Sequence, residues 1–284
     1  MAVTSIRLTD GELAMTLYPR SDAQVLTLDA PGPDIRTVTE ARPDDEGMVD
    51  TTTRYGSRAV SLEIQVIENP ATFTDELNRF LHPGRRPYLV VADDEWSTER
   101  RLMLRSEDWS GPLSADNAPF YRRLLVQWRA PDGVWEASEE VQQPVGVDVS
   151  SRVGRTYPRT YPYSYAPTTA GGAQEVVNVG NTPSHMVARL YGPVTAPVLT
   201  NETTGQSVVF DSALVLGSGE YVEISTRNRT AFLNGDVLVS RLGHINFGAN
   251  SWWQLQAGVQ RIRYTGASPS AGARAVLLYR PSWL

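Results

Sequence analysis

Residues 58–68 read Arg-Ala-Val-Ser-Leu-Glu-Ile-Gln-Val-Ile-Glu, and this stretch decides the class of the fold. Its apolar side chains recur at every second position from Val60 to Val66, with polar or small side chains between them. A period of two places alternate side chains on opposite faces of a strand, so the stretch predicts a β-strand with one buried face. Shorter apolar runs at residues 88–92, 102–104 and 124–128 predict further strands on the C-terminal side.

One segment of the first half has a helical period instead. The apolar residues from Phe73 to Leu81 fall at i, i+4, i+7 and i+8, which places them on one face of a helix. Asn69-Pro70 can cap and open this helix, and His82-Pro83-Gly84 can end it. The sequence therefore predicts a β-domain with a single helix near residues 70–82.

Two stretches read as irregular. Acidic residues 44–46 precede Gly47, and we predict a long loop from residue 42 to residue 55. From about residue 139 to residue 172 the composition shifts to Ser, Gly and Pro, with Thr-Tyr-Pro occurring twice. Because proline fixes φ and removes a donor, this stretch predicts a linker or an extended edge strand. We place the domain boundary there, with one domain at residues 1–145 and another at 146–284.

The second half lacks a convincing amphipathic helix. Short apolar runs separated by turn residues predict about ten strands, which suits a β-sandwich or jelly-roll. Asn234-Gly235-Asp236 lies between the runs 231–233 and 237–239 and predicts a type I′ hairpin, since Asn-Gly tolerates positive φ. The expected fold is mainly β, in two domains.

The amino-acid composition excludes several classes of enzyme chemistry. The 26 basic residues are all arginine, and the chain has no cysteine and only three histidines. Lysine amines, thiolate nucleophiles, disulfides and cysteine-ligated metals are therefore excluded. We expect no cofactor and no metal site. Residues 1–20 lack the features of a signal peptide and no apolar run is long enough for a membrane span, so we expect a soluble chain made in a cytoplasm.

Charge divides the chain into unlike halves. Residues 1–150 carry 15 arginines and 26 acids, whereas residues 151–284 carry 11 arginines and 6 acids. This asymmetry predicts two domains with different surroundings, although chance sorting of solvated charges is an equal alternative. The arginine pairs 85–86, 100–101 and 122–123 lie in the acidic half. Pairing with carboxylates is therefore more plausible for them than binding to nucleic acid.

The sequence alone also permits two other functions, sugar binding and glycoside hydrolysis. Trp252-Trp253 and the aromatic residues between Tyr157 and Tyr165 could stack on sugars, although aromatic residues more often fill the core of such folds. Acids at 93–95 and at 107–108 could supply the carboxylate pair of a glycosidase, but residues 93–95 also read as a hairpin tip.

Several short motifs of the second half together resemble the C-terminal domain of siphophage distal tail proteins. They are Asn-Val-Gly-Asn-Thr-Pro at 178–183, Gly192-Pro193, Asn-Glu-Thr-Thr-Gly at 201–205, Asn234-Gly235 and Leu-Tyr-Arg at 278–280. The first half, with Tyr-Gly-Ser-Arg at 55–58 before the long strand and the helix ending in Pro83-Gly84, is similar to that family's ring-forming β-domain. Order and spacing carry this resemblance, which spans nearly the whole chain.

The resemblance implies a non-enzymatic virion protein. It implies an N-terminal ring-forming β-domain, a C-terminal galectin-like β-sandwich, and a hexameric ring at the distal end of a long non-contractile tail. The implied partners are the tail tube protein above, the tail-associated hub protein below, and further the tape-measure and other baseplate proteins. DNA would pass through the lumen without specific binding.

Residues for these roles follow as hypotheses. Candidate ring-interface residues are Arg85, Arg86, Arg100, Arg101, Arg122 and Arg123, because the arginine fork pairs with carboxylates across interfaces. Candidate lumen-facing acids are Asp44, Asp45, Glu46, Asp93, Asp94 and Glu95, because a negative lumen repels phosphates. The alternative is a carbohydrate-binding module that stacks host glycans on Trp252 and Trp253.

Overall fold

A computed structural model describes residues 3–41, 46, 48–111, 122–147, 173–247, 252–270 and 272–284. The chain forms two compact units, one made of Met1–Glu139 with Trp283–Leu284 and the other of Glu140–Ser282. The division falls a few residues before the boundary predicted after residue 145. The reason is that a strand at Val141–Gly146, within the predicted linker, pairs with Arg274–Tyr279 of the second unit.

The first unit contains two larger antiparallel sheets, a two-stranded sheet and one helix. Its strands are β1 (Val3–Thr9), β2 (Ala14–Tyr18), β3 (Ala23–Asp29), β4 (Ile35–Ala41), β5 (Met48–Tyr55), β6 (Arg58–Val66), β7 (Tyr88–Asp93), β8 (Arg100–Met103), β9 (Arg105–Ser110), β10 (Arg122–Ala130) and β11 (Trp135–Ala137). One sheet has the order β2-β1-β7-β8-β11, continued by a strand at Ser282–Trp283, and the other has the order β3-β6-β10-β9.

The long alternating stretch forms β6, as predicted. Val60, Leu62, Ile64 and Val66 are all buried in the core between the sheets. Strand β10 pairs with β6 along its whole length and alternates in the same way, so Leu124, Val126 and Trp128 face the same core. The alternation therefore sets the register, because a slip of one residue would expose every apolar side chain.

Helix α1 (Pro70–Leu81) is also confirmed. Phe73, Leu77, Phe80 and Leu81 form its buried face, and Pro70 occupies the first turn. Asn69 lies at the helix start in the left-handed region with φ 49°, and its side chain makes no capping hydrogen bond. The expected side-chain cap is therefore absent, while the expected position of the helix start is correct.

The predicted loop at residues 42–55 is wrong for most of its length. Residues 48–55 form β5, which pairs with β4 as a separate two-stranded sheet. The physical reason is the run Thr51-Thr52-Thr53, since β-branched residues favour extended backbone and pair here with a similar run in β4. Residues 42–45, with the predicted lumen acids Asp44 and Asp45, lie outside the described residues.

The second unit is built from two five-stranded sheets around its own core, which confirms the mainly β prediction. Its strands are β12 (Val141–Gly146), β13 (Gln174–Asn178), β14 (Met186–Tyr191), β15 (Val194–Asn201), β16 (Gln206–Val209), β17 (Val215–Leu216), β18 (Tyr221–Ser225), β19 (Thr230–Leu233), β20 (Gly258–Ala267) and β21 (Arg274–Tyr279), followed by β22 (Ser282–Trp283), which ends in the first unit. The orders are β12-β21-β14-β18-β19 and β13-β20-β15-β16, with β17 beside β15. A short 3₁₀-helix spans Leu242–His244. The aromatic stretch from Tyr157 to Tyr165 lies outside the described residues.

The Asn234-Gly235 turn forms as predicted, but the strand expected after it does not. Both residues have positive φ, 53° and 73°, as a type I′ turn requires. Asp236 then starts a second turn, because its carbonyl accepts from the Val239 amide at 3.0 Å and its side chain accepts from the Leu238 amide at 2.9 Å. Residues 237–239 are consequently a turn, with Leu238 almost fully exposed.

Within the described ranges, no helix has the length and hydropathy that a membrane crossing requires.

Candidate assembly surfaces

The most unusual surface of the first unit is the hairpin of β4 and β5, here called the arm. Within the described chain its two strands pair with each other and with no strand of another sheet. Ile35 and Tyr55 are opposite each other at its base and are 66% and 55% exposed. Val38, further along, is also exposed. A lone two-stranded sheet is marginally stable in water, so an arm with exposed apolar side chains is suited to binding a partner.

The four-stranded sheet offers a second type of surface. Among the described strands it ends in β3 on one side and β9 on the other, and each leaves one edge unpaired. Trp109 on β9 is 41% exposed, although it carries a large ring. Unpaired strand edges are templates for pairing with another chain, so this sheet can be extended from both sides.

Three of the predicted interface arginines already have a carboxylate partner within the chain. Arg85 forms a short ion pair with Asp10. Arg101 lies 3.3 Å from the Glu136 carboxylate and stacks over the Tyr88 ring. The third, Arg123, remains 60% exposed although it lies 3.3 Å from Glu63. All three of these carboxylate partners belong to the same chain.

The other three arginines differ in their surroundings. Arg86 is bonded to the carbonyls of Pro83 and Arg85, so it stabilises the turn after the helix. Arg122 begins β10 and is half-buried. Arg100 is held between two indole rings, with its guanidinium carbon 4.2 Å from the Trp96 ring centroid and 4.3 Å from that of Trp283. Burial lowers the pKa of Arg100, and the negative charge of Asp93 opposes that shift.

The predicted lumen acids that can be placed lie at two sites. Asp93 ends β7, and its carboxylate accepts from the Glu95 amide at 2.9 Å, which shapes the turn that also contains Asp94. Glu46 is exposed between the two strands of the arm. Both sites lie at the ends of hairpins, one between β4 and β5 and the other between β7 and β8.

The two tryptophans proposed for sugar stacking differ in their burial. Trp253 is 2% exposed and belongs to the core of the second unit. Trp252 is partly buried and packs against the same core. Burial of its apolar ring stabilises Trp253 in the core, so Trp252 is the more accessible of the two rings.

Glu107, one of the acids considered for a glycosidase pair, is bound by an arginine. Glu107 accepts from Arg129 Nε at 2.6 Å, and this bond is the main cause of the lowered pKa of its carboxyl group. A glycosidase acid needs the opposite shift. Over the described ranges, no three histidine or acidic side chains converge as a metal site.

Sequence reasoning missed two features of the first unit. One is the arm, whose Thr-rich strands lack the apolar alternation that reveals β6. The other is Arg58, which is 3% exposed although arginines are rarely buried. Its position at the start of an otherwise amphipathic strand gave one signal: Arg58, Val60 and Leu62 share the buried face of the same alternation.

The second unit matches a known protein family. Residues 179–283 match the model of the "siphovirus-type tail component, C-terminal domain". The matched residues begin directly after β13 and include the rest of the second unit, from β14 to its end. A search of curated proteins finds no significant match.

Solved structures extend the likeness of fold to the whole chain. The SPP1 Dit protein, described as a paradigm of the hub adsorption apparatus in phages that infect Gram-positive hosts, aligns with a TM-score of 0.65 at 12% identity. The alignment covers 98% of this chain and 99% of that one. Two structures of the phage p2 baseplate in its activated conformation, with Sr and with Ca, contain chains that align with TM-scores of 0.53 and 0.52. Both are 12% identical and cover 97–99% of either chain.

Together with the tail-component domain, this full-length likeness confirms the resemblance to siphophage distal tail proteins that the sequence predicted.

Proposed function

We propose that the chain is a structural, non-enzymatic component of a phage tail tip that assembles as a hexameric ring at the distal end of a long non-contractile tail. The observation that carries this proposal is the tail-component domain at residues 179–283. The full-length fold likeness to SPP1 Dit and to chains of the p2 baseplate supports extending the role to the first unit.

The first unit has surfaces that suit self-association. Its arm exposes Ile35, Val38 and Tyr55, and its four-stranded sheet ends in unpaired edges at β3 and β9. A closed ring uses contacts between two different patches of neighbouring copies, and edge pairing that closes on itself removes the exposed edges. The first unit is therefore our proposed ring-forming part.

The proposed partners follow from this position in the virion. The tail tube protein lies above the ring and the tail-associated hub protein below it, with the tape-measure protein and other baseplate proteins as further neighbours. DNA passes through the lumen without specific binding. Glu46 and the turn at residues 93–95 are our candidates for the lumen surface, because carboxylates repel phosphates over about a Debye length.

Some of the arginines remain proposed ring contacts. Arg123 is the strongest of these, since its 3.3 Å pair with Glu63 leaves most of its side chain exposed. A second carboxylate, from a neighbouring copy, can reach the open side of that guanidinium. The galectin-like β-sandwich remains our proposal for the second unit, which has the two packed sheets that such a fold needs.

Immunogold electron microscopy of phage particles tests the proposed location. Antibodies raised against the purified chain should decorate the distal end of the tail in particles that carry this protein. Labelling restricted to the head, or purified particles that lack the chain, would contradict the proposal.

A further inference from the structure

The base of the arm is closed by backbone hydrogen bonds between the chain segments that enter and leave it. The Asp34 amide, just before β4, donates to the Ser57 carbonyl at 2.9 Å. The Gly56 amide, just after β5, donates to the Asp34 carbonyl at 2.6 Å. These two bonds join the strands at the base but do not attach the arm to the sheets of the unit.

Arg58 attaches this base to two further segments. Its Nε donates to the Gly133 carbonyl at 2.8 Å, in the loop that follows β10, and its Nη1 donates to the Ala30 carbonyl at 3.2 Å, just after β3. The guanidinium also lies 5.9 Å from the Trp135 ring centroid. Its planar fork thus joins the segment before the arm, the segment after it and the β10–β11 loop.

The position of Arg58 is unusual for a residue that only stabilises a core. The side chain is 3% exposed, and its described hydrogen bonds go to backbone carbonyls. Its Nη2 is buried without a described acceptor, and burial lowers the pKa of the group. Burying a charge that is bound only by carbonyls is unfavourable compared with an apolar side chain of the same size. An arginine at this site is explained if its bonds to the carbonyls fix the geometry of the arm's base.

Close packing around Gly133 also restricts the base of the arm. Gly133 has φ +67°, and a Cβ atom there would lie 2.4 Å from the Gly56 carbonyl oxygen and 2.8 Å from Pro33 Cβ. Arg129 adds a bond from its Nη1 to Ser57 Oγ at 3.1 Å. The β10–β11 loop is therefore pressed against the arm's base, where the Arg58 fork holds it.

We propose that Arg58 is a positioning residue that fixes the direction in which the arm leaves the first unit, and so presents the arm at one angle to a second copy of the chain. We call the contacts of Arg58 with Gly133, Ala30 and Trp135 the clamp, and the clamp rests only on the observations given above. The second copy as the arm's partner rests on the proposed function.

The absence of cysteine allows the arm's direction to be measured directly. Thr37 on the arm and Gln127 on β10 are both exposed, so replacing each with cysteine places one spin label on either side of the clamp. Double electron–electron resonance on labelled chains diluted with unlabelled protein gives the distance distribution within one molecule. We expect a single narrow distribution in the parental protein. In Arg58→Met we expect a broadened distribution with a shifted maximum.

Three controls separate positioning from loss of stability. Arg101→Met removes another partly buried arginine of the first unit and should leave the Thr37–Gln127 distribution narrow. A second label pair, at Thr72 on the helix and Gln127, should stay narrow in every variant that folds. Arg58→Lys keeps the charge but cannot bridge both carbonyls, so it should broaden the arm distribution less than Arg58→Met does. If Arg58→Met does not fold, Arg58→Lys carries the test.

An arm distribution that remains as narrow in the folded Arg58 variants as in the parental protein would overturn the clamp. Ring assembly is measured separately by light scattering, and the clamp predicts a lower assembled fraction for Arg58→Lys than for Arg20→Met, which removes another partly buried arginine of the first unit. Equal fractions would contradict presentation of the arm to a second copy. A parental protein that never assembles would refute the proposed function, whereas the label distances would still decide the clamp.

Discussion

Arg100 and Trp283 show how a few side chains complete the first unit. Trp283 is buried in the core of that unit, and both its ring and the ring of Trp96 lie against the Arg100 guanidinium. Trp96 in turn packs against Trp135, with ring centroids 5.8 Å apart. A cation between two indoles gains from both ring faces, and most of the gain is lost when either ring is removed.

We predict that Trp283→Ala destabilises the first unit by about 3 kcal/mol, because it removes a large buried ring and uncovers Arg100. Urea unfolding followed by tryptophan fluorescence should show the first unit's transition at lower denaturant. Leu284→Ala, at a half-exposed neighbouring position, is the control and should change little. An unshifted transition in Trp283→Ala would show that the ring contributes nothing to the fold.

Arg20 and Asp22 give a residue-level prediction about pH. Arg20 donates to both carboxylate oxygens of Asp22, at 2.5 and 3.0 Å, and this bonding lowers the pKa of Asp22. A lowered folded-state pKa stabilises the fold above the unfolded value of about 4, and this contribution disappears as the pH falls through the folded-state value. Asp22→Asn should therefore be about 1 kcal/mol less stable at pH 7 and nearly equal to the parental protein well below pH 4.

Thermal unfolding of both proteins between pH 7 and pH 2 measures this difference. The two melting curves should converge as the pH falls. A gap of constant size across the range would mean that packing, and not the charged form of Asp22, causes the loss.

At the scale of elements, the sequence predicted those whose side chains alternate or repeat with a clear period. Strand β6 and helix α1 are examples, because burial of one face requires the pattern that the sequence shows. The arm was missed because its Thr-rich strands lack the apolar alternation that marks β6. Residues 237–239 were predicted as a strand because the apolar run is visible in the sequence, whereas the second turn started by Asp236 is a local hydrogen-bonding choice.

The candidate interface was predictable only in part, for a similar reason. A pair of arginines in an acidic domain predicts ion pairs, but sequence alone does not say whether the carboxylate is in the same chain. Arg85 and Arg101 find theirs within the subunit, and Arg100 is held by indoles instead. Arg58 reads as a polar residue at the start of a strand, and only the fold shows that it holds the base of the arm.

The arm leads to a prediction about assembly at this scale. Replacing Ile35 and Tyr55 together with serine should reduce the assembled fraction and leave the melting temperature nearly unchanged, since both side chains are exposed in the single subunit. Light scattering and thermal unfolding of the same samples measure the two effects. The matched control replaces Val237 and Leu238, the exposed pair of the second unit, with serine. Equal assembly in both double variants would exclude the arm's base as a contact.

At the scale of the whole molecule, the absence of lysine and cysteine has a simple structural consequence. Every basic contact of an assembly must be made by arginine, and the protein has no disulfide to hold a subunit or a ring together. Stability of a single subunit must then come from its two cores, and the proposed ring would add contacts between copies that become more favourable as the protein concentration rises. Unpaired edges, an exposed arm and a family of tail components agree with a subunit that reaches its final stability in an assembly.

We propose that copies of this chain close into a ring, and mass measurement combined with imaging tests this most directly. Mass photometry of the full-length protein over rising concentration, with class averages from negative-stain micrographs of the same sample, should show a species of six times 31.3 kDa with six-fold symmetry. A single copy at every concentration, or an open filament without closure, would contradict the account.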